Sequence, residues 1–168
     1  KPITFACISS NEITKEMKKH NEPLIFIDDG RNLGFAGGNN TGIRFALYQD
    51  DCDYVWILNN DTVVEKSALS NLLKKAESEP HIGICGSRLM YYWEPDKVQS
   101  LGGTYNKFLG TTRHIHNPAQ VNSIDYIVGA SMLVPGKFLK VVGLMNEDYF
   151  LYYEDMDWSL NAIRKHFR

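Results

Sequence analysis

Apolar residues fall in short runs along the first half of the chain, and two spacings alternate. "ITFACI" (3–8), "PLIFI" (23–27) and "YVWIL" (54–58) are continuous apolar segments of strand length. Between and after them Ile43, Ala46 and Leu47, then Leu69, Leu72, Leu73 and Ala76, recur at helical spacing. The pattern predicts strands at the three runs and a charged surface helix over 11–20, with Ile13 and Met17 on one face. Further helices are predicted over roughly 39–49 and from Ser67 or Lys66 to about Glu79. Strand and helix in regular alternation imply a mostly parallel sheet with crossover helices. "YVWIL" is apolar enough throughout to be a central strand covered on both faces.

The second half reads differently. "HIGICGSRLMYY" (81–92) looks like another strand, and short Gly- and aromatic-containing segments follow from Val98 to Leu109, with a turn signal at Gly102-Gly103. "DYIVGASMLVP" (125–135) is strand-like but broken by Gly129. "GKFLKVVG" (136–143) reads as a short helix between two glycines, and "YEDMDWSLNAIRKHFR" opens a final one. No repeat or low-complexity segment occurs, so 1–168 reads as a single α/β domain with a loop-rich second half.

Composition narrows the function classes. Hydrophobic content of 43% and aromatic content of 12% are those of an ordinary globular domain, and a net charge of −2 makes no electrostatic case for a nucleic-acid partner. Cys7, Cys52 and Cys85 are odd in number and lack Cys-x-x-Cys spacing, which points away from a zinc site or a disulfide framework and towards a reducing compartment. No apolar stretch reaches the eighteen or so residues that span a bilayer. The chain begins without Met and ends inside a helical pattern, as a piece of a longer protein would.

Three stretches carry candidate chemistry. "YVWILNNDTVV" stops abruptly at Asn59, Asn60 and Asp61. Ligands of parallel α/β sheets bind outside the carboxyl ends of strands, where these residues are expected. Asp61 and Thr62 either form a turn that caps the next helix, or Asp61 offers a hard oxygen to Mg2+ or Mn2+, with phosphate oxygens and water completing the octahedron. In "RNLGFAGGNNTG" (31–42) the glycines allow close backbone approach, and Asn39 and Asn40 are expected at a helix start that favours an anion; the alternative is a flexible loop. The stretch matches neither a Walker loop nor Gly-x-Gly-x-x-Gly. In "YYEDMDW" (152–158), Glu154, Asp155 and Asp157 are flanked by Tyr149, Phe150, Tyr152, Tyr153 and Trp158. Acids there can simply meet the helix dipole, or one can take a proton from an attacking hydroxyl beside an aromatic wall suited to sugar rings. Trp158 reads as core, and His114 and His116 as members of a solvated loop.

"NLGFAGGNNTG", "WILNNDTVV", "DYIVGASMLVP" and "YFLYYEDMDWSLNAIRKHF" occur in the order and spacing of one family. The chain resembles the family-2 inverting glycosyltransferases of the GT-A fold, in particular their bacterial and archaeal rhamnosyltransferase-like branch. The resemblance implies a three-layer α/β/α sandwich around a mostly parallel, mixed central sheet. It implies sugar transfer with inversion from a nucleotide-diphosphate sugar, UDP- or dTDP-linked, to a glycan or lipid-linked acceptor. By it Asp61 is the metal ligand, with Asn59 and Asn60 beside the nucleotide, and Asp155, supported by Glu154, is the catalytic base. Asn32, Gly34, Asn39 and Asn40 contact the nucleotide, while Gly129, Ala130, Ser131 and Asp157 line the donor and acceptor pocket. It also implies that the family's first strand precedes residue 1, that a further region follows the last helix, and that the full-length protein is cytoplasmic and peripheral to the membrane. Two departures stand out: Asn-Asn-Asp replaces Asp-x-Asp, and Cys7 falls where an Asp is usual. The residues alone also allow a glycoside hydrolase with Asp61 and Asp155 as acid and base, or a non-catalytic nucleotide- or sugar-binding module.

Overall fold

The computed structural model describes residues 2–168. In chain order it contains β1 (Phe5–Ser9), β2 (Leu24–Asp28), α1 (Gly34–Tyr48), β3 (Tyr54–Leu58), α2 (Ala68–Ser78), β4 (Cys85–Gly86), β5 (Leu89–Met90), β6 (Val98–Ser100), β7 (Gly103–Asn106), β8 (Thr111–His114), β9 (Ser131–Pro135), α3 (Gly136–Val142) and α4 (Glu154–Arg164). All five residues of β9 are buried, and it pairs antiparallel with β3 on one side and β4 on the other. Because β3 and β4 are both antiparallel to β9, they run parallel to each other.

The alternation of β9 side chains builds the layers. Met132 and Val134 face one cluster with Ala36 and Ile43 of α1, Phe138 and Leu139 of α3, and Trp158 and Ala162 of α4. Leu133 faces the other side, against Leu72 and Ala76 of α2. Helices thus cover both faces of this sheet. Trp158 is a core residue: it is 1% exposed, stacks edge-on against Phe138 and donates its indole N–H to the Gly143 carbonyl at 2.9 Å. Complete burial of such a side chain contributes about 2–3 kcal/mol.

Several expectations need correction. The central strand is β9; β3 sits at the edge of its sheet, with Leu58 exposed. Apolar continuity in "YVWIL" came from packing one face on α1 and the other on α2, and not from flanking strands. The parallel component is the pair β1–β2, which is not hydrogen-bonded to β3 among the described residues. β1 and β2 are also less buried than an apolar run suggests, with Phe5 and Phe26 stacked edge-on and both exposed. No helix forms over 11–20: a 3-10 turn at Ser10–Glu12, capped reciprocally by Ser9 and Glu12, is all that is ordered as helix there. Two apolar residues in ten give such a helix too little to bury, and short helices are marginal without packing. The 81–92 segment divides into β4 and β5; a side chain at Gly86 would meet Ile127 at 2.5 Å.

The helix expected from about 39 begins at Gly34, so Asn39 and Asn40 lie inside α1. Gly34 has φ +71, and a Cβ there would sit 2.1 Å from the Phe150 carbonyl oxygen. That close approach lets the Phe35 N–H donate to Phe150 O at 2.9 Å and start the helix early. Asn40, fully buried, fixes the same two segments further along: its Nδ2 donates to Met145 O at 2.9 Å, and its Oδ1 accepts from Met145 N at 3.1 Å. Nδ2 also reaches Glu147 Oε1 at 2.9 Å, and Arg44 pairs with the same carboxylate.

Asn40→Ala would leave buried Met145 main-chain groups unpaired. It should lower unfolding free energy by about 2–3 kcal/mol, seen as a reduced urea midpoint at unchanged slope. An unshifted midpoint would show that this clamp contributes nothing.

Candidate active site

Four segments meet at one end of the β9 sheet, and hydrogen bonds trace how. Where β3 ends, the Asn59 N–H donates to Ala130 O at 3.1 Å. One residue back along that strand approach, the Gly129 N–H donates to Asp155 Oδ2 at 2.9 Å. A Cβ on Gly129 would lie 3.0 Å from the Phe35 ring and 3.6 Å from Asp155 Oδ2. The end of β3, the entry to β9, the first turn of α4 and the first turn of α1 therefore share one locus.

At the β3 end, the turn is made by Thr62, whose hydroxyl and N–H both donate to Asn59 O, at 2.7 and 3.3 Å. Asp61 does not cap α2, which starts only at Ala68. Asn60 and Asp61 are exposed, and the side chains of Asn59, Asn60 and Asp61 make no hydrogen bond or ion pair among the described residues. No three His, Cys, Asp or Glu side chains converge among the described residues. Asp61 fits a divalent cation as a single uncommitted carboxylate, a hard oxygen donor that leaves most of the octahedron to phosphates and water.

At the α4 start, Asp155 is half-buried and each of its oxygens accepts a main-chain N–H, Oδ2 from Gly129 and Oδ1 from Met156 at 2.7 Å. Its side-chain oxygens accept no other hydrogen bond among the described residues. The helix is preceded by two consecutive left-handed residues, Tyr152 at φ 71 and Tyr153 at φ 70. For bulky side chains this conformation costs about 1–2 kcal/mol per residue, and strain of this kind concentrates at functional sites.

Glu154, expected to support Asp155, is buried, and Asp157, expected to line the pocket, pairs along α4. Glu154 is 5% exposed and its Oε2 has no hydrogen-bond partner among the described residues. Burial pushes its carboxyl above the ordinary glutamate range, its own main-chain N–H pulls it partly back, and the Asp155 charge adds to the rise. Asp157 lies two positions past Asp155, about 200° around the helix, and its Oδ2 accepts from Asn161 Nδ2 at 3.0 Å.

The glycine-rich stretch is mostly committed internally. Asn32 Oδ1 accepts from the Gly34 N–H at 2.9 Å, and Asn39 Nδ2 donates to Phe35 O at 2.8 Å. Asn40 is sealed in the clamp described above, away from any surface a nucleotide could touch. Ser131 is likewise a wall residue, 3% exposed, accepting from Trp56 Nε1 at 3.0 Å and sharing a 2.7 Å hydroxyl contact with Ser87. His114 ends β8, with Nδ1 2.9 Å from Ser100 Oγ.

A cavity of about 200 Å³ beside the β1 and β2 ends is lined by Ser10, Ile13, Asp29, Leu33, Thr41 and Arg44, with Thr41 Oγ1 2.9 Å from Asp29 Oδ1. Asp29 was open to discovery from sequence by the same strand-end logic that singled out Asp61. A larger cavity of about 390 Å³ lies between Glu79–His81 and His166–Arg168, at the opposite end of α4 from Asp155.

The displaced proton affinity of Glu154 has a sign. A carboxyl whose folded-state affinity for protons is raised costs stability as pH climbs above its unfolded range, about pH 4 to 5, through the raised folded value. Glu154→Gln should therefore match wild type in acid and exceed it in stability near neutral pH. Denaturant titrations across that window check this, and parallel stability curves would refute a buried, raised Glu154.

Residues 9–134 match the family described as Glycosyl transferase family 2. Over 162 residues the chain is 26% identical to the low-salt glycan biosynthesis hexosyltransferase Agl10 of Haloferax volcanii, covering 94% of this chain and 52% of that protein. A 65-residue stretch is 35% identical to the poly-beta-1,6-N-acetyl-D-glucosamine synthase of Staphylococcus aureus, covering 39% of this chain and 15% of the synthase. The chain thus spans about half the length of the Haloferax relative. With the match running from the end of β1 almost to the end of β9, the chain belongs to glycosyl transferase family 2 and has that family's GT-A nucleotide-sugar transferase fold.

Proposed function

We propose that the full-length protein transfers a hexosyl group, with inversion, from a nucleoside-diphosphate sugar to a hydroxyl of a glycan or lipid-linked acceptor. The observation that carries this reading is that two unlike carboxylates belong to segments hydrogen-bonded together at one sheet end. Asp155 is fixed by two main-chain N–H groups, and Asp61 is exposed and uncommitted, the two joined through Asn59, Ala130 and Gly129. Inverting transfer requires such a division, with a positioned base on the acceptor side and charge stabilisation on the leaving side.

In this reading Asp155 accepts the acceptor O–H proton as the acceptor oxygen bonds to the anomeric carbon. The anomeric C–O bond breaks on the opposite face, and its electron pair leaves with the nucleoside diphosphate. Asp61 would hold Mg2+ or Mn2+, which when bound supplies positive charge against the departing diphosphate. The free amides of Asn59 and Asn60 are available to donor hydroxyls or phosphate oxygens. The Asn32–Gly34 turn shapes the adjoining wall, and the cavity at Asp29, Thr41 and Arg44 is available to the nucleoside. Glu154 acts from beneath Asp155, as a buried group that shapes its field. UDP- and dTDP-linked sugars, a rhamnosyl donor among them, are the donors to test first. The cytoplasm is the proposed compartment, supported by three free cysteines of which Cys7 is exposed.

Asp155→Asn in the full-length protein should reduce turnover by about 100- to 10,000-fold, the range of a lost general base, while donor binding measured by calorimetry stays near wild type. Wild-type turnover in that variant would remove Asp155 from the reaction.

Asp61→Ala should weaken donor-nucleotide binding and abolish its stimulation by Mg2+ or Mn2+. Donor affinity that ignores both the cation and Asp61 would contradict the role given to this residue. Cleavage of simple glycosides without any nucleotide would replace transfer by hydrolysis.

A further inference from the structure

The β7–β8 hairpin plays no part in the site described above, and its tip presents an unusual surface. Phe108 is 88% exposed and Leu109 is 73% exposed, adjacent to each other at the turn. The turn is firmly made. Asn106 Oδ1 accepts from the Phe108 N–H at 3.0 Å and the Leu109 N–H at 3.2 Å, and the Gly110 N–H donates to Asn106 O at 2.8 Å, with Gly110 at φ +65. The root is fixed as well, through Gly103 paired with Tyr126, Tyr105 N–H donating to Asp125 Oδ2 at 2.8 Å, Leu101 N–H donating to Ile115 O at 2.8 Å and Ile115 N–H donating to Gly102 O at 2.9 Å. Two large apolar side chains are therefore held in solvent by a preformed support.

Charge around the tip has one sign. No Asp or Glu occurs between Asp96 and Asp125, whereas Lys97, Lys107 and Arg113 lie in that interval, in a chain whose net charge is −2. Lys97 is paired with Glu94, and the Asp125 carboxylate is engaged at the hairpin root, which leaves Lys107 and Arg113 as the charges of the hairpin itself. Lys107 Nζ lies 5.5 Å from the Phe108 ring centroid. His114 stacks towards Tyr126, so Arg113, its strand neighbour, projects from the opposite, open face of the hairpin.

We propose that this hairpin is a membrane-surface contact, inserting Phe108 and Leu109 at the headgroup boundary of an anionic bilayer while Lys107 and Arg113 meet lipid phosphates. Two apolar side chains are too little for a stable protein interface, which buries roughly 800 Å² per partner. A bilayer surface needs only a small wedge combined with cations, and the two signals together give a reversible association. The inference stands apart from the transfer reaction, since it uses none of the residues assigned to that site.

The test uses the full-length protein and vesicles of phosphatidylcholine with or without phosphatidylglycerol. The indole introduced by Phe108→Trp should shift its emission to the blue, relative to the wild-type spectrum, only with the anionic vesicles, and brominated lipid should quench it. Lys107→Glu should lower vesicle affinity by about five-fold or more. Phe108→Ser with Leu109→Ser should lower it at least ten-fold, with thermal unfolding unchanged as the folding control. An unshifted indole, or vesicle affinity equal in the wild type and the double variant, would overturn the proposal. Equal affinity for neutral and anionic vesicles would do the same.

Discussion

The hydrogen bond from the Gly129 N–H to Asp155 Oδ2 is the constraint on which the site depends. Gly129 leaves room for it, since a Cβ there would crowd the Phe35 ring at 3.0 Å, and α4 starts where Tyr152 and Tyr153 turn left-handed. It orients Asp155 from the strand whose next residues, Ser131–Pro135, are all buried. The candidate base is therefore referenced to a fully buried strand, and so is Asn59, through its own bond to Ala130. A site built in this way keeps its geometry through packing and main-chain bonds, leaving the side chains of Asn59, Asn60 and Asp61 free for a ligand.

Around this frame, burial separates supporting residues from those that face outward. Asn40 and Ser131 belong to candidate motifs, yet both are sealed in hydrogen bonds that fix neighbouring segments. Glu154 is an intermediate case: it adjoins the base in sequence, is buried without a partner for Oε2 among the described residues, and resists ionisation because of that burial. Energetic cost is thus concentrated in the few residues around Tyr152–Asp155, where left-handed backbone and an unpartnered carboxyl meet, and is offset by the Trp158 and Phe138 packing immediately below.

Much of this was legible in the sequence where a local signal matched the final environment. β3 occurs over the same residues as the run "YVWIL", α2 and α3 follow their apolar stripes and bounding glycine, and α4 starts at the acidic cluster. The three candidate stretches were found because strand ends, glycines and acids mark such places, and the fold does bring them together. What the sequence hid depended on partners distant along the chain. The early start of α1 needs the Phe150 carbonyl, more than a hundred residues away, and the burial of Asn40 needs Met145. The central position of β9 follows from pairing on both edges, which no property of "SMLVP" announces. Ile13 and Met17 suggested a helix that tertiary packing does not support.

In the proposed reaction the donor diphosphate lies between Asp61 and Asp155 at this sheet end, with the reacting carbon turned towards Asp155. Anomalous diffraction from the full-length protein crystallised with Mn2+ and a nucleoside diphosphate tests it most directly. One manganese peak is expected against an Asp61 oxygen and beside the diphosphate, at the sheet end that holds Asp155. A diphosphate bound without Asp61, or seated at the opposite end of α4 near His81 and His166, would contradict it.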